Sequence, residues 1–256
     1  MSQAPTVTKL PPAMAWQAES LRLSVFPVPN VTFDHAKWWR DVTGTEADST
    51  SNQPKQGLYE ERGKLDEHRV LVLRVQVPRI DWFLLSPESQ VPSSDFAAVG
   101  AFPDVIGQFS SMLDRWLGVS PAVSRFALGG VLIQPQPDRK AGYEQLGAYL
   151  TESVKVDPDS SDFMYQINRP RPTRHVAELQ INRLTKWSVA LHRMFVFSPG
   201  QESSINTMAQ QSACRLEFDI NTAPAFKGPL PQAKLSELRE EFASFALEIA
   251  ERGDVK

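Results

Sequence analysis

The alternation of apolar and polar positions divides the chain into two runs of elements in the same order. Leu21, Leu23 and Val25 share one face of a strand expected over Leu21–Val28. Asp34 then precedes a short segment with Trp38, Trp39 and Val42, flanked by Phe33 and Gly44, a spacing that predicts a capped helix with a hydrophobic staple and a glycine stop. Thr45–Gln56 reads as a loop. Strand pattern returns over Leu58–Arg62, over Arg69–Val77, where Leu71, Leu73, Val75 and Val77 share a face, and over Ile80–Leu85. Gly63–His68 reads as a hairpin turn. Pro103 opens a helix whose stripe Val105, Ile106, Phe109, Met112, Leu113 and Trp116 has helical spacing, with Gly118 as its end.

The second run begins with a strand over Ser124–Gln134, where Gly129 and Gly130 predict a bulge or a close backbone approach. Asp138 is placed to cap a helix through Leu150. Strands are expected over Phe163–Asn168, Ala177–Leu184, Trp187–Phe197 and Cys214–Ile220, the last with the cleanest alternation: Cys214, Leu216, Phe218 and Ile220 inward, Arg215, Glu217 and Asp219 outward. Ser198–Ser212 reads as a long polar connection. A helix over Gln232–Arg252 presents Leu235, Leu238, Phe242, Phe245 and Ile249 along one stripe.

These runs predict an α+β fold made of two strand-helix-meander-helix units, residues 19–118 and 119–256, joined in one compact unit. Residues 1–18, with Pro5, Pro11 and Pro12, read as an extended leader. The expected product is a curved antiparallel sheet with the long helices on one face, similar in outline to the TATA-binding-protein saddle and leaving the other face open.

At 256 residues and 41% apolar composition the chain can bury a sizeable core. Its net charge of −3 gives no global attraction to phosphate backbones, so nucleic acid is disfavoured as a partner. Cys214 is the single cysteine, which excludes an intrachain disulfide and a thiolate zinc site. The first residues lack the apolar core of a signal peptide and no apolar run approaches the roughly 20 residues of a membrane span. A cytoplasmic protein without a membrane partner is expected.

Catalytic signatures are missing: there is no phosphate loop, dinucleotide fingerprint, nucleophile elbow or HExxH. His35, His68, His175 and His192 are scattered, so no metal site and no cofactor are expected. Asp157, Asp159 and Asp162 lack the glycine and distal glutamate of a calcium loop and read as a polar turn.

Two clusters stand out as candidates for binding. Arg169, Arg171, Arg174 and His175, followed by Arg183, Lys186 and Arg193 on neighbouring strands, would present an anion or acidic-partner site if they share one hairpin surface, because guanidinium forks bind carboxylate and phosphate in bidentate fashion. The alternative is a solvated hairpin tip. Trp38, Trp39 and Arg40 form the second cluster. Adjacent helical residues point about 100° apart, which would leave one Trp available as an interface anchor unless both are packed beneath a nearby loop.

The segments VSRFALGGVLIQP at 123–135 and CRLEFDINTAP at 214–224, with the helix that follows, resemble a sporadically distributed family of uncharacterised bacterial proteins of about this length. That resemblance implies a cytoplasmic bacterial protein, in a setting such as antiviral defence or toxin–antitoxin control, and carries over no catalytic residues. With the absence of catalytic motifs, it leads to a non-enzymatic binding or assembly protein acting through protein contacts, with a homo-oligomer as one form of that partnership. The alternatives are a nucleic-acid binder using the sheet face or basic hairpin, and an enzyme whose site is dispersed over residues such as Arg125, Glu178, His192 and Asp219.

Overall fold

A computed structural model of the chain describes residues 16–88, 95–196 and 206–255. Among these, one open antiparallel sheet of eleven strands packs against four α-helices, a mixed α+β fold. The elements in order are β1 (Gln17–Pro27), α1 (Trp38–Thr43), β2 (Ser49–Gln53), β3 (Leu58–Lys64), β4 (Val70–Gln76), β5 (Arg79–Leu85) and the two-residue β6 (Gly100–Ala101), then α2 (Phe102–Val119). They continue with β7 (Val123–Gln136), α3 (Arg139–Tyr149), β8 (Met164–Asn168), the two-residue β9 (Arg171–Pro172), β10 (Gln180–Val196), β11 (Asn206–Thr222) and α4 (Leu235–Arg252).

The strand order is β2-β3-β4-β5-β1-β7-β11-β10-β8, with β6 on β1 and β9 on β10. β1 and β7 therefore lie side by side at the centre. Each is bonded on its far side to the last long strand of its own half, β5 for β1 and β11 for β7.

Period-two patterning decides which face is buried. Leu21, Leu23 and Val25 of β1 stand opposite Gly130, Leu128 and Phe126 of β7, and Phe218 and Ile220 of β11 continue the same rows. These side chains meet Phe102, Phe109, Leu113 and Trp116 of α2 and Phe242 and Ile249 of α4 in one continuous core. All four helices contribute to that core and so pack on one face of the sheet; on the other face Glu88 meets Arg62, Asp95 meets Gln211 and the Phe96 ring meets His192.

Gly130 sits in this core because a side chain does not fit: an added Cβ would lie 2.7 Å from the Phe218 ring and 2.9 Å from Leu21. The glycine pair thus marks close packing. The bulges between β1 and β7 lie elsewhere, at Ala18/Ser20 and Phe26/Pro27.

Several boundaries differ from the sequence expectation. The strand expected from Leu21 begins at Gln17, and Trp16 just before it is fully buried, so the end of the expected leader is part of the core; residues 1–15 lie outside the described residues. The loop expected over Thr45–Gln56 contains β2, whose side chains are all exposed; an edge strand with no buried face has no apolar alternation to read. Ala177–Leu184 and Trp187–Phe197 are parts of one strand, β10, because Thr185 and Lys186 continue the ladder against Phe218 and Glu217. The expected connection Ser198–Ser212 loses Asn206–Ser212 to β11, and residues 197–205 lie outside the described residues. Asp34 accepts from the Ala36 backbone N–H at 2.9 Å and caps a turn, four positions before α1 begins at Trp38. Gly44 does end α1 in the left-handed region, whereas α2 runs through Gly118 to Val119.

Candidate functional site

At its centre the helix-free face of the sheet is polar by the same alternation that builds the core, whereas Val72, Ile133 and Ala213 are apolar, buried positions of that face. Between the inward Leu21, Leu23 and Val25, β1 turns Ser20, Arg22 and Ser24 outward. Across the centre, Arg22 stands opposite Gly129 of β7, and Gly129 opposite Asp219 of β11. With no side chain at Gly129, the Arg22 Nη2 reaches Asp219 Oδ2 at 3.2 Å over the glycine. One register step away, Lys186 Nζ lies 2.9 Å from Glu217 Oε1, and Arg215 also bonds Glu217.

These residues surround a depression of about 430 Å³ lined among others by Ser20, Arg22, Phe83, Gly129, Gln166 and Lys186. That size is within the range of ligand-binding clefts, though this one is open and polar. Ion pairs continue toward the first-half edge, with Arg74 on Glu60 at 2.8 Å and Arg79 on the buried Asp81 at 2.7 Å. Asn168, Asn182 and Asn221 form an amide ladder on the other side, ending on Asp219. Both signs of charge are interleaved along these rows.

The basic cluster singled out in the sequence does not form one surface. Odd positions of β10 face the helices, so Arg183 points inward with Ile181 and Trp187, while Lys186 points outward. Arg169 holds Asp254 through Nε and Nη2, each at 2.9 Å, and Tyr165 Oη adds a bond at 2.8 Å. Arg171 holds Glu248 at 2.7 and 3.2 Å, and Arg183 reaches the same carboxylate at 3.2 Å. His175 Nδ1 lies 3.1 Å from Glu237, and Thr173 donates to Glu241. The expected anion site is thus taken up by one acidic stripe of α4, at Glu237, Glu241 and Glu248, and by Asp254 just beyond it. Arg174 is exposed. Arg193 stands opposite Gln210 in the β10–β11 ladder, and its side chain is outside the described residues.

Electrostatics match this bracing role. The Arg169 hydrogen bonds hold the Asp254 carboxyl below the usual carboxylate range against its burial, with Tyr165 assisting. Burial, followed by the neighbouring Arg171, lowers the Arg183 guanidinium.

Trp38 and Trp39 are both buried, at 4% and 3% exposure, which removes them as surface anchors. Trp38 stacks on Phe33 with ring centres 5.4 Å apart and meets Trp116 edge-on, and Trp39 stacks against Trp82. The 100° between them is accommodated because α1 is wedged against the sheet and Gly63 of β3 makes room: a Cβ there would lie 2.7 Å from the Trp39 ring. Arg40 is exposed and pairs with Glu46.

Beside α1, Glu61 of β3 is buried, with its carboxyl raised by desolvation; Tyr59 is pushed up to about 12, first by burial and then by its bond to Glu61. The His35 ring lies 4.1 Å from that of Tyr59. Cys214 packs inward and donates to the Gly142 carbonyl oxygen at 3.0 Å, and burial pushes its thiol up to about 12, so it is no nucleophile at neutral pH. Among the described residues no three His, Cys, Asp or Glu side chains gather as a metal site requires.

The four residues offered as a dispersed catalytic site do not converge. Asp219 is opposite Leu184 in β10, and His192 lies eight positions further along that strand, roughly 26 Å away at strand rise. Arg125 lies over the Phe26 ring at 5.3 Å, and Glu178 is exposed in the turn before β10. Among the described residues no helix is long and apolar enough to cross a membrane. Comparison with protein-family models, curated proteins and solved structures finds no match to the chain.

Proposed function

We propose that the protein is a non-enzymatic binding or assembly protein that takes a protein partner on the helix-free face of its sheet. The observation that carries this reading is the row of half-buried, mixed-sign ion pairs around the 430 Å³ depression over Gly129, on the face opposite the helices. Arg22 and Asp219 retain 32% and 42% side-chain exposure, and such pairs contribute only about 0–1 kcal/mol each. They can therefore be exchanged for pairs with a polypeptide that carries both signs at little cost. A nucleic acid would need an excess of cations on this face, and the carboxylates of Glu60, Glu217 and Asp219 offset them. The resemblance in the second half supports a cytoplasmic, bacterial defence or toxin-control setting for that partner.

The test is charge reversal on the two faces. The double variant Arg22→Glu, Lys186→Glu should release proteins that co-purify stoichiometrically with the tagged wild type from its host, measured by quantitative mass spectrometry. Glu240→Lys on α4, whose side chain is 70% exposed on the helix side, should retain them. Loss with Glu240→Lys and retention with the double variant would overturn the assignment of the face, and nucleic acid in the eluate would overturn the class of partner.

A further inference from the structure

The two ends of the sheet are finished differently. At one end the edge is β8, with the backbone turning off at Asp162 (φ 59°) before it and Pro170 and Pro172 after it. Kinks and prolines of this kind keep a sheet edge from pairing with another chain. At the other end the edge is β2, and it carries no such device. Ser49–Gln53 has no charged residue and no proline, and its five residues pair with Leu58–Arg62 of β3 in unbroken register. All five side chains are exposed, so nothing overhangs the strand. Among the described residues no strand pairs with its outer side. In an antiparallel ladder, residues that do not bond one neighbour turn their backbone N–H and C=O the other way. β2 therefore ends the sheet on a row of donors and acceptors that a further strand would complete.

We propose that β2 is a dimerisation edge, pairing antiparallel with β2 of a second copy of this chain about a two-fold axis at Ser51. Alternation fixes that register. The residues with outward backbone groups have the same parity in both copies, so even positions must meet even positions and odd must meet odd. Of the registers this allows, only the one centred on Ser51 pairs all five residues. Ser49 then faces Gln53, Thr50 faces Asn52 and Ser51 faces Ser51 of the second copy. These are hydroxyls and amides, so no like charges stand opposite each other along the strand. The axis runs normal to the sheet, which puts the helices of both copies on one side and joins the two helix-free faces on the other.

Charge at the two ends of the strand singles out a second copy as the occupant. Asp48 immediately precedes β2 and Lys55 lies in the turn that follows it, both exposed. Antiparallel pairing about Ser51 brings Lys55 of each copy toward Asp48 of the other, and symmetry makes the contact twice. A parallel arrangement would bring like charges together at both ends instead. Asp48 Oδ2 also accepts from the Lys64 backbone N–H at 2.8 Å, and Glu46, the next carboxylate out, is paired with Arg40.

An edge pairing this short lies at the weak end of interface sizes, so the full chain is followed by sedimentation velocity over dilutions reaching about 100 μM. The weight-average mass should rise from that of one chain to that of two. Ser51→Lys sets like charges face to face on the axis, while within its own chain the new side chain stands opposite Glu60 and leaves the β2–β3 pairing in place. It should weaken dimerisation about tenfold or more, with the melting temperature of the dilute monomer unchanged. Ser51→Glu should weaken it as well, and an equimolar mixture of the two variants should regain the dimer. A wild type that remains a monomer at the highest concentration would overturn the proposal. So would a dimer that Ser51→Lys leaves intact, because the copies would then meet on another surface, and a mixture that stays monomeric would overturn the register.

Discussion

The indole N–H of Trp16 donates to the carbonyl oxygen of Ala250 at 3.0 Å, joining residues 234 positions apart. Trp16 also packs against Tyr149 and Trp187, with ring centres 5.2 and 6.2 Å away. A residue ahead of the first strand is therefore held by the second half of the chain and its closing helix, and the two halves share one core. Trp16→Ala should cost about 3–5 kcal/mol, the usual range for deleting a buried Trp. Denaturant unfolding should remain a single transition with a lower midpoint. Two separated transitions, one unaffected by the substitution, would show that the halves fold independently.

Two glycines should respond to alanine with opposite signs. Gly63→Ala places a methyl 2.7 Å from the Trp39 ring and should destabilise by about 1–3 kcal/mol. Gly107→Ala, in the middle of α2 with nothing within 4 Å of the added carbon, should stabilise by up to about 1 kcal/mol, since glycine is the poorer helix former. Thermal unfolding of the two variants side by side checks both signs.

Acid and base should act on different carboxyls. The folded-state pKa of Asp254 is depressed, so its contribution is present above the unfolded value of about 3.9 and is lost as pH falls through the folded value. Asp254→Asn should lower stability near neutrality and flatten the acid limb of a stability–pH curve. Glu61 has a raised pKa from burial; it favours the folded state while protonated in both states and opposes it increasingly as pH rises above its unfolded value of about 4.3. Glu61→Gln should therefore stabilise the protein at pH 7, with the gain shrinking toward pH 4. Urea midpoints measured across pH 3–8 for wild type and both variants give the comparison.

What could be read in advance follows from how far each element obeys a local period. Cys214 to Ile220 alternate because one side of β11 meets the core and the other the open face, and both Leu21–Val25 and the α4 stripe are legible for the same reason. Ser49–Gln53 has no buried side, so nothing in its pattern distinguishes it from a loop. Arg183 misled because its charge suggests solvent, although its spacing from Ile181 and Trp187 places it inward; the matching signal was the Glu237, Glu241 and Glu248 stripe on α4. The burial of both Trp38 and Trp39 depends on Gly63, a contact between distant segments that no local pattern carries. The outward Ser20 and Arg22 and the gap at Gly129 were present in the alternation, but only the strand order brings them beside Asp219 and Lys186.

The most direct test of the binding face is site-specific photocrosslinking in the host. A benzophenone amino acid is placed at Gln166, on the rim of the depression, and in a second variant at Ser111, exposed on the outer side of α2. A partner on the open sheet face gives a discrete protein adduct from position 166 and none from position 111. An adduct from position 111 alone would contradict it, because the partner would then sit on the helices and leave the open sheet face without the role assigned to it.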